Sequence, residues 1–212
     1  MSARNKPRAP FERLSDSERH RSLQAVLAAS ADPQNIYIFA YGSMMWNPLF
    51  EPLEHKAASL AEFCRSFCVW SLVARGTLEN PGLALGLEER TGATCDGIVF
   101  RLNPLTAKAD LEATWQREMY TAIYQPRWLD METDAGTIRA IAFAVDREHP
   151  QYAACLNQNE AASIIAHAAG KNGRCRDYLS STVRQLSTIG CVDPQIGALH
   201  ALVDSQYGAT DL

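Results

Sequence analysis

The sequence predicts an α+β fold, a small curled sheet or barrel with helices packed on it. Three observations carry that prediction. Short runs of β-branched, aromatic and small apolar residues occupy 36 to 146, capped helical patterns occupy the stretch from 157 to 207, and one amphipathic helix precedes both. The 212 residues are 47% hydrophobic and 21% charged, which is enough apolar material for one medium domain with a buried core.

Residues 1–34 read as an N-terminal extension, 35–207 as the main domain and 208–212 as a C-terminal tail. Within the extension "NKPRAP" is loop-like. Ser15-x-x-Glu18 is a capping box opening a helix with Leu23, Val26 and Leu27 on one face, and Asp32-Pro33 ends it. The helix is expected to pack over the outside of the main domain, a partner-binding arm being the alternative.

The main domain opens with strands at 36–40, 67–73, 83–87, 97–102 and 138–145 and a further one near 122–130, bounded by turns such as Asn80-Pro81-Gly82 and Asp134-Ala135-Gly136. A helix interrupts them. Asn103 is its expected cap, Pro104 its first residue, and it runs to about Met119. Three helices follow. Asn157-x-x-Glu160 opens the first, with Ala161, Ile164, Ile165 and Ala168 inward and Gly170 as its terminating glycine. Leu179, Val183 and Leu186 stripe the second, with Gly190 behind it. Asp193-Pro194 starts the third, which carries Ile196, Leu199, Leu202 and Val203 and fades by Gly208.

Charge and composition exclude several classes of function. A net charge of −4 argues against a nucleic-acid or anionic-membrane binder, and the absence of a long apolar run argues against a membrane span. The N-terminal "MSARNKPRAPFERLSDSERHR" is basic but lacks the apolar segment of a secretory signal, so a cytoplasmic location with reduced thiols is expected. Six cysteines and the five histidines at 20, 55, 149, 167 and 200 are scattered, and neither a metal nor another cofactor is expected.

Two places suit chemistry. In "IYIFAYGSMMWNP" a buried strand ends in the small, flexible turn Ala40-Tyr41-Gly42-Ser43 and returns to large apolar residues at Met44 and Met45. Successive N–H groups in such a turn make a nest for a carboxylate or an oxyanion, although a plain turn has the same composition. On the helix ending near Met119, Leu111, Trp115 and Met119 form one apolar stripe, and Glu118 lies at its margin. The negative end of the helix dipole disfavours an anion there, and Arg117 opposes that effect if it turns inward. Either Glu118 snorkels to water or it is a partly buried acid/base.

Taken in order, these segments resemble the ChaC-type γ-glutamylcyclotransferases. "FAYGSMMWNP" is similar to their F-G-Y-G-S-L-[IV]-W signature, "RGTLENPGLALGL" to R-G-T-x-E-x-P-G, "CDGIVFRL" to the following strand, and "WQREMYTAIYQPRWL" to W-x-R-E-M…Y-x-P-R-W. Ala40, Met44 and Leu78 depart from the usual glycine, leucine and proline, and none of these changes removes a catalytic group. The resemblance implies a small γ-glutamylcyclotransferase-like β-barrel with flanking helices and a helical C-terminal part. It also implies cleavage of glutathione to 5-oxoproline and cysteinylglycine. It assigns catalysis to Glu118 and substrate binding to Ala40, Tyr41, Gly42, Ser43, Met44 and Met45. Tyr124 and Tyr178 lie in matched motifs as candidate substrate contacts, with core tyrosines the alternative, and the 75–82 loop offers Arg75 and Glu79 to the leaving group.

A γ-glutamyl donor carries its own nucleophile, the α-amine, with a pKa of roughly 8. Such a reaction needs a base for that amine and an acid for the leaving amine, and one carboxylate can serve as both. The alternatives are a cyclotransferase for other γ-glutamyl-amines or amino acids, a non-catalytic binding protein linked to cation transport, and a Ser43 hydrolase. Cys64 and Cys68 lie in an expected strand and read as buried, inert thiols.

Overall fold

Ser15 and Glu18 close the predicted capping box: the Glu18 carboxylate accepts the Ser15 N–H at 2.7 Å, and Ser15 Oγ accepts the Glu18 N–H at 3.3 Å. Helix α1, Asp16–Ala28, starts there. The structure is a computed structural model that describes residues 6–154 and 156–207; the predicted tail 208–212 lies outside the described residues. The chain divides into two compact units. One comprises Glu12–Arg65 and Leu87–Asp146, and the other the described residues of Met1–Phe11, Ser66–Gly86 and Arg147–Leu212.

The first unit is built on a closed barrel of order β1-β3-β2-β4-β5, from β1 (Tyr37–Ala40), β2 (Glu54–Ser71), β3 (Gly82–Arg101), β4 (Tyr124–Thr133) and β5 (Gly136–Val145). The chain leaves this unit within β2, after Arg65, and returns within β3, at Leu87. β1 runs antiparallel to β3, from Tyr37↔Arg101 to Ala40↔Ile98, and meets β5 in parallel at Ile38↔Ile141, which closes the barrel. β4 and β5 form a hairpin from Tyr124↔Val145 to Thr133↔Gly136 around the predicted Asp134-Ala135 turn. Gly136 there has φ +110°, which a side chain rarely tolerates.

Residues Ala140 to Ala144 of β5 are all buried, because the strand is covered on both faces. Helix α2, Ala107–Glu118, lies against it: the rings of Trp115 and Phe143 meet edge-on at 5.1 Å. Leu111, Trp115 and Met119 are buried as their spacing predicts. The helix starts later than expected. Asn103 Oδ1 accepts the Leu105 N–H at 3.0 Å, so Asn103 makes a turn on its own backbone and Thr106 becomes the capping position. α1 packs on this unit through Trp115 Nε1 to Ser22 Oγ and Trp128 Nε1 to the Val26 carbonyl.

The second unit holds the ends of β2 and β3, helices α3 (Gln158–His167), α4 (Cys175–Thr188) and α5 (Pro194–Tyr207), and a ribbon of β6 (Ala169–Gly170) with β7 (Gly173–Arg174). The Asn157/Glu160 capping box forms as predicted. Gly190, at φ +73°, follows α4, and Asp193 Oδ1 accepts the N–H groups of Gln195 and Ile196 at the start of α5. Gly170 does not end α3. It lies in the ribbon, where a Cβ would stand 2.6 Å from Gly76 N and from Val73 O, so it is small because backbones meet there.

Two strand expectations need correction. β3 is one strand where two were expected, and β2 begins thirteen residues before the predicted 67–73 run. Residues 89–92 in the middle of β3, "ERTG", are exposed and carry no apolar alternation, and "EHKAASLAEF" has the composition of a helix that only its strand partners override. Among the described residues no helix is long and apolar enough to cross a membrane.

Candidate active site

β1 ends at Ala40, which is buried beside β3; a Cβ on Gly97 would stand 2.4 Å from the Ala40 carbonyl oxygen. Tyr41 then turns its side chain into the barrel, where its hydroxyl donates to the Phe143 carbonyl at 2.8 Å. With the phenol engaged in the core, what this residue offers a ligand is backbone. Gly42 follows, and Ser43–Met45 make a single 3₁₀ turn whose Met44 and Met45 side chains are buried. The Met45 N–H returns to the Gly42 carbonyl at 2.9 Å, and the Asn47 N–H to that of Ser43 at 2.9 Å. Among the described residues the N–H groups of Gly42, Ser43 and Met44 donate to no carbonyl. That is the donor arrangement a nest requires.

Glu118 is the last residue of α2, and its side chain is 17% exposed. Arg117 does turn toward it: Nε donates to Glu118 Oε1 at 2.8 Å. The same guanidinium donates from Nη1 to the Asn47 carbonyl at 2.7 Å, while Nη2 is buried without a partner. The turn at 43–47 and the carboxylate at 118, more than seventy residues apart in sequence, are thus held by one arginine.

Tyr124 is the first residue of β4, opposite Val145, and half-buried. Arg75 and Tyr178 belong to the second unit and come together there: the guanidinium carbon lies 5.1 Å from the Tyr178 ring centre. Arg75 Nη1 also donates to the Asn172 carbonyl at 2.5 Å, and Tyr178 packs edge-on against Phe67 at 5.6 Å. Both residues therefore have local structural work. The glycines of "RGTLENPG" do as well, since a Cβ on Gly76 would stand 2.0 Å from Gly82 N. Glu79 is exposed, and hydrogen bonds from its own N–H and from Thr77 hold its carboxyl below the usual value.

Sequence reasoning missed Arg65. It lies on β2, is 1% exposed, and donates from Nη1 to the Tyr41 carbonyl at 2.6 Å and from Nη2 to the Asp96 carbonyl. The available signal was a single cation inside the largely apolar run "FCRSFCVW".

The nucleophile alternatives find little support. Cys64 and Cys68 are buried, and burial pushes the Cys175 thiol up to about 11. Ser180 Oγ meets His200 Nε2 at 3.0 Å, and His200 Nδ1 lies 3.2 Å from Asp204 Oδ2. Ser180 sits inside α4, however, where the N–H groups beside it serve the helix ladder and none can receive an oxyanion. This chain of contacts joins α4 to α5. Among the described residues no group of three or more His, Cys, Asp or Glu side chains is placed to hold a metal ion.

The family model described as ChaC-like protein matches residues 36–206. A glutathione-specific γ-glutamylcyclotransferase of Escherichia coli K12 is 37% identical over 186 residues, covering 87% of this chain and 80% of that protein. A glutathione-specific γ-glutamylcyclotransferase 1 of Danio rerio is 25% identical, covering 77% and 84%. Among solved structures, a glutathione-specific γ-glutamyl cyclotransferase from yeast superposes with a TM-score of 0.77 at 17% identity, over 84% of this chain and all of that one. This last likeness concerns the fold, and the barrel with flanking helices is the architecture expected from the sequence.

Proposed function

The chain belongs to the ChaC-like family, and from that premise we propose that it is a γ-glutamylcyclotransferase that cleaves glutathione to 5-oxoproline and cysteinylglycine. The observation that carries the mechanism is the guanidinium of Arg117, which ties the carboxylate of Glu118 to the turn that follows Gly42.

The α-amine of the γ-glutamyl group attacks its own γ-carbonyl carbon. A C–N bond forms, the carbonyl oxygen becomes an oxyanion, and a five-membered ring closes. Glu118 takes the proton that the attacking nitrogen loses. The oxyanion then collapses, the bond to the cysteinyl nitrogen breaks, and Glu118 returns the proton to that leaving amine. The atoms of glutathione are divided between the two products and no water is consumed. The N–H groups of Gly42, Ser43 and Met44 are the donors assigned to the oxyanion and to the γ-glutamyl end, with Ser43 Oγ adding one hydrogen bond. Aligned donors of this kind are each worth about 10²–10³ in rate. Ala40 and Tyr41 place the turn, and Met44 and Met45 anchor it in the core.

Because the nucleophile lies within the substrate, holding the chain bent is the enzyme's larger task. Proximity in the best intramolecular cases is worth about 7–11 kcal/mol. The relatives named for glutathione support glutathione over other γ-glutamyl donors. Purified protein incubated with equal glutathione and γ-glutamyl-alkylamine tests the assignment: glutathione should be consumed first with 5-oxoproline accumulating, and prior consumption of the alkylamine would reject glutathione as the substrate.

A further inference from the structure

A fully buried arginine is costly, since an apolar side chain of similar volume often packs there with equal or greater stability. Arg65 is 1% exposed, so its burial calls for a reason, and its hydrogen bonds supply one. Nη1 donates at 2.6 Å to the carbonyl of Tyr41, the last residue before Gly42, and Nη2 donates to the carbonyl of Asp96 on β3. Asp96 is itself fixed, its Oδ1 accepting from Ser59 Oγ on β2 at 2.6 Å.

The Tyr41 carbonyl and the Gly42 N–H belong to one planar trans peptide, so they point in opposite directions. A guanidinium that pins the carbonyl inward therefore aims the Gly42 N–H outward. Glycine at 42 makes the reversed peptide accessible, because it accepts either sign of φ at little cost. In the reversed orientation the carbonyl would occupy the place of the donor, and an anion would meet an acceptor.

We infer that Arg65 is a positioning residue that selects one orientation of the Tyr41–Gly42 peptide and so keeps the Gly42 N–H directed at the reacting γ-carbonyl. The inference rests on the cyclotransferase reading for its consequence in turnover, and on geometry alone for the orientation of the peptide. Arg65 acts through the backbone and touches no reacting atom. It belongs to the first unit with the turn and Glu118, so its effect is local to them.

The test uses the full chain with Arg65→Lys and Arg65→Met, read by glutathione kinetics, by melting temperature and by the Gly42 amide resonance in glycine-selective ¹⁵N spectra, assigned through its loss in Gly42→Ala. Lysine keeps the charge but cannot bridge both carbonyls. Expected for Arg65→Lys are a kcat lower by about 10²-fold, the scale of one oxyanion donor, a KM within about threefold, and a displaced Gly42 amide that no longer responds to added 5-oxoproline. The inference is overturned if a folded variant keeps kcat within about threefold. It is equally overturned if kcat falls only in proportion to melting temperature with the Gly42 amide unmoved, or if neither variant folds, which would make the role structural. Wild-type protein inactive on glutathione would reject the cyclotransferase reading instead, and the Gly42 amide in Arg65→Lys would then decide the positioning role by itself.

Discussion

Arg117 holds Glu118 by a hydrogen bond of 2.8 Å from Nε to Oε1, and its Nη1 reaches the Asn47 carbonyl at 2.7 Å. Glu118 is therefore fixed relative to the turn after Gly42 before any substrate arrives. A proton shuttle that serves two nitrogens of one small substrate needs that kind of fixed placement.

If Glu118 moves the proton, Glu118→Gln keeps the shape and loses the chemistry. The expected fall in kcat is about 10²–10⁴-fold, with an unchanged circular dichroism spectrum and melting temperature. Glu112, which precedes Glu118 on α2 by about one and two-thirds turns, is the control, and Glu112→Gln should stay within about twofold. Steady-state kinetics on the two purified variants checks this, and near-normal turnover in folded Glu118→Gln would remove Glu118 from the mechanism.

Arg117→Lys keeps a cation but not the planar fork that serves Glu118 and Asn47 together. A kcat lower by roughly tenfold or more is expected, with KM changed less. Equal kinetics in Arg117→Lys would mean that the bridge is dispensable.

The turn separates backbone from side-chain effects. Ser43→Ala removes at most one hydrogen bond, worth about 1 kcal/mol or roughly fivefold in kcat/KM. Gly42→Val restricts the backbone at a buried position and should cost more than about 100-fold. Small, equal losses from both changes would make the turn a structural feature only.

Burial raises the Cys175 thiol to about 11, and its Sγ donates to the Leu83 carbonyl at 3.1 Å. At pH 8 only roughly one part in a thousand is thiolate. Iodoacetamide applied to native protein should therefore label the half-exposed Cys191 and spare Cys175, as read by peptide mass mapping. The sign for stability follows from the raised value. The contribution is complete below the unfolded thiol's value of about 9 and is lost as pH climbs towards 11, so melting temperature should fall across that window and fall less in Cys175→Ala. Labelling of Cys175 as fast as Cys191 would contradict this account.

Legibility in the sequence followed how local each interaction is. Ser15/Glu18 and Asn157/Glu160 announce helix starts because both partners lie within one turn, and Asp134-Ala135-Gly136 announces its hairpin for the same reason. The stripe of Leu111, Trp115 and Met119 was readable because one face of a helix meets one core. Asn103 was misjudged because its side chain serves equally in a turn or a cap, and Gly170 because close backbone packing is invisible in sequence. The early part of β2 was missed since its strand partners lie far along the chain. In the proposed site, Glu118 and the turn were named by motif and Arg117 by its place beside Glu118, whereas Arg65 and the Asn47 carbonyl had no such signal. Arg65 and the Asn47 carbonyl act through contacts 24 and 70 residues apart, which no local pattern records.

The central claim is that the substrate's own amine, and not water, cleaves the γ-glutamyl bond. It is tested most directly by mass spectrometry of the products from glutathione turned over in H₂¹⁸O. The account predicts 5-oxoproline and cysteinylglycine in equal amounts, with no ¹⁸O in the 5-oxoproline. Glutamate carrying one ¹⁸O in place of 5-oxoproline would contradict it and would make the protein a hydrolase.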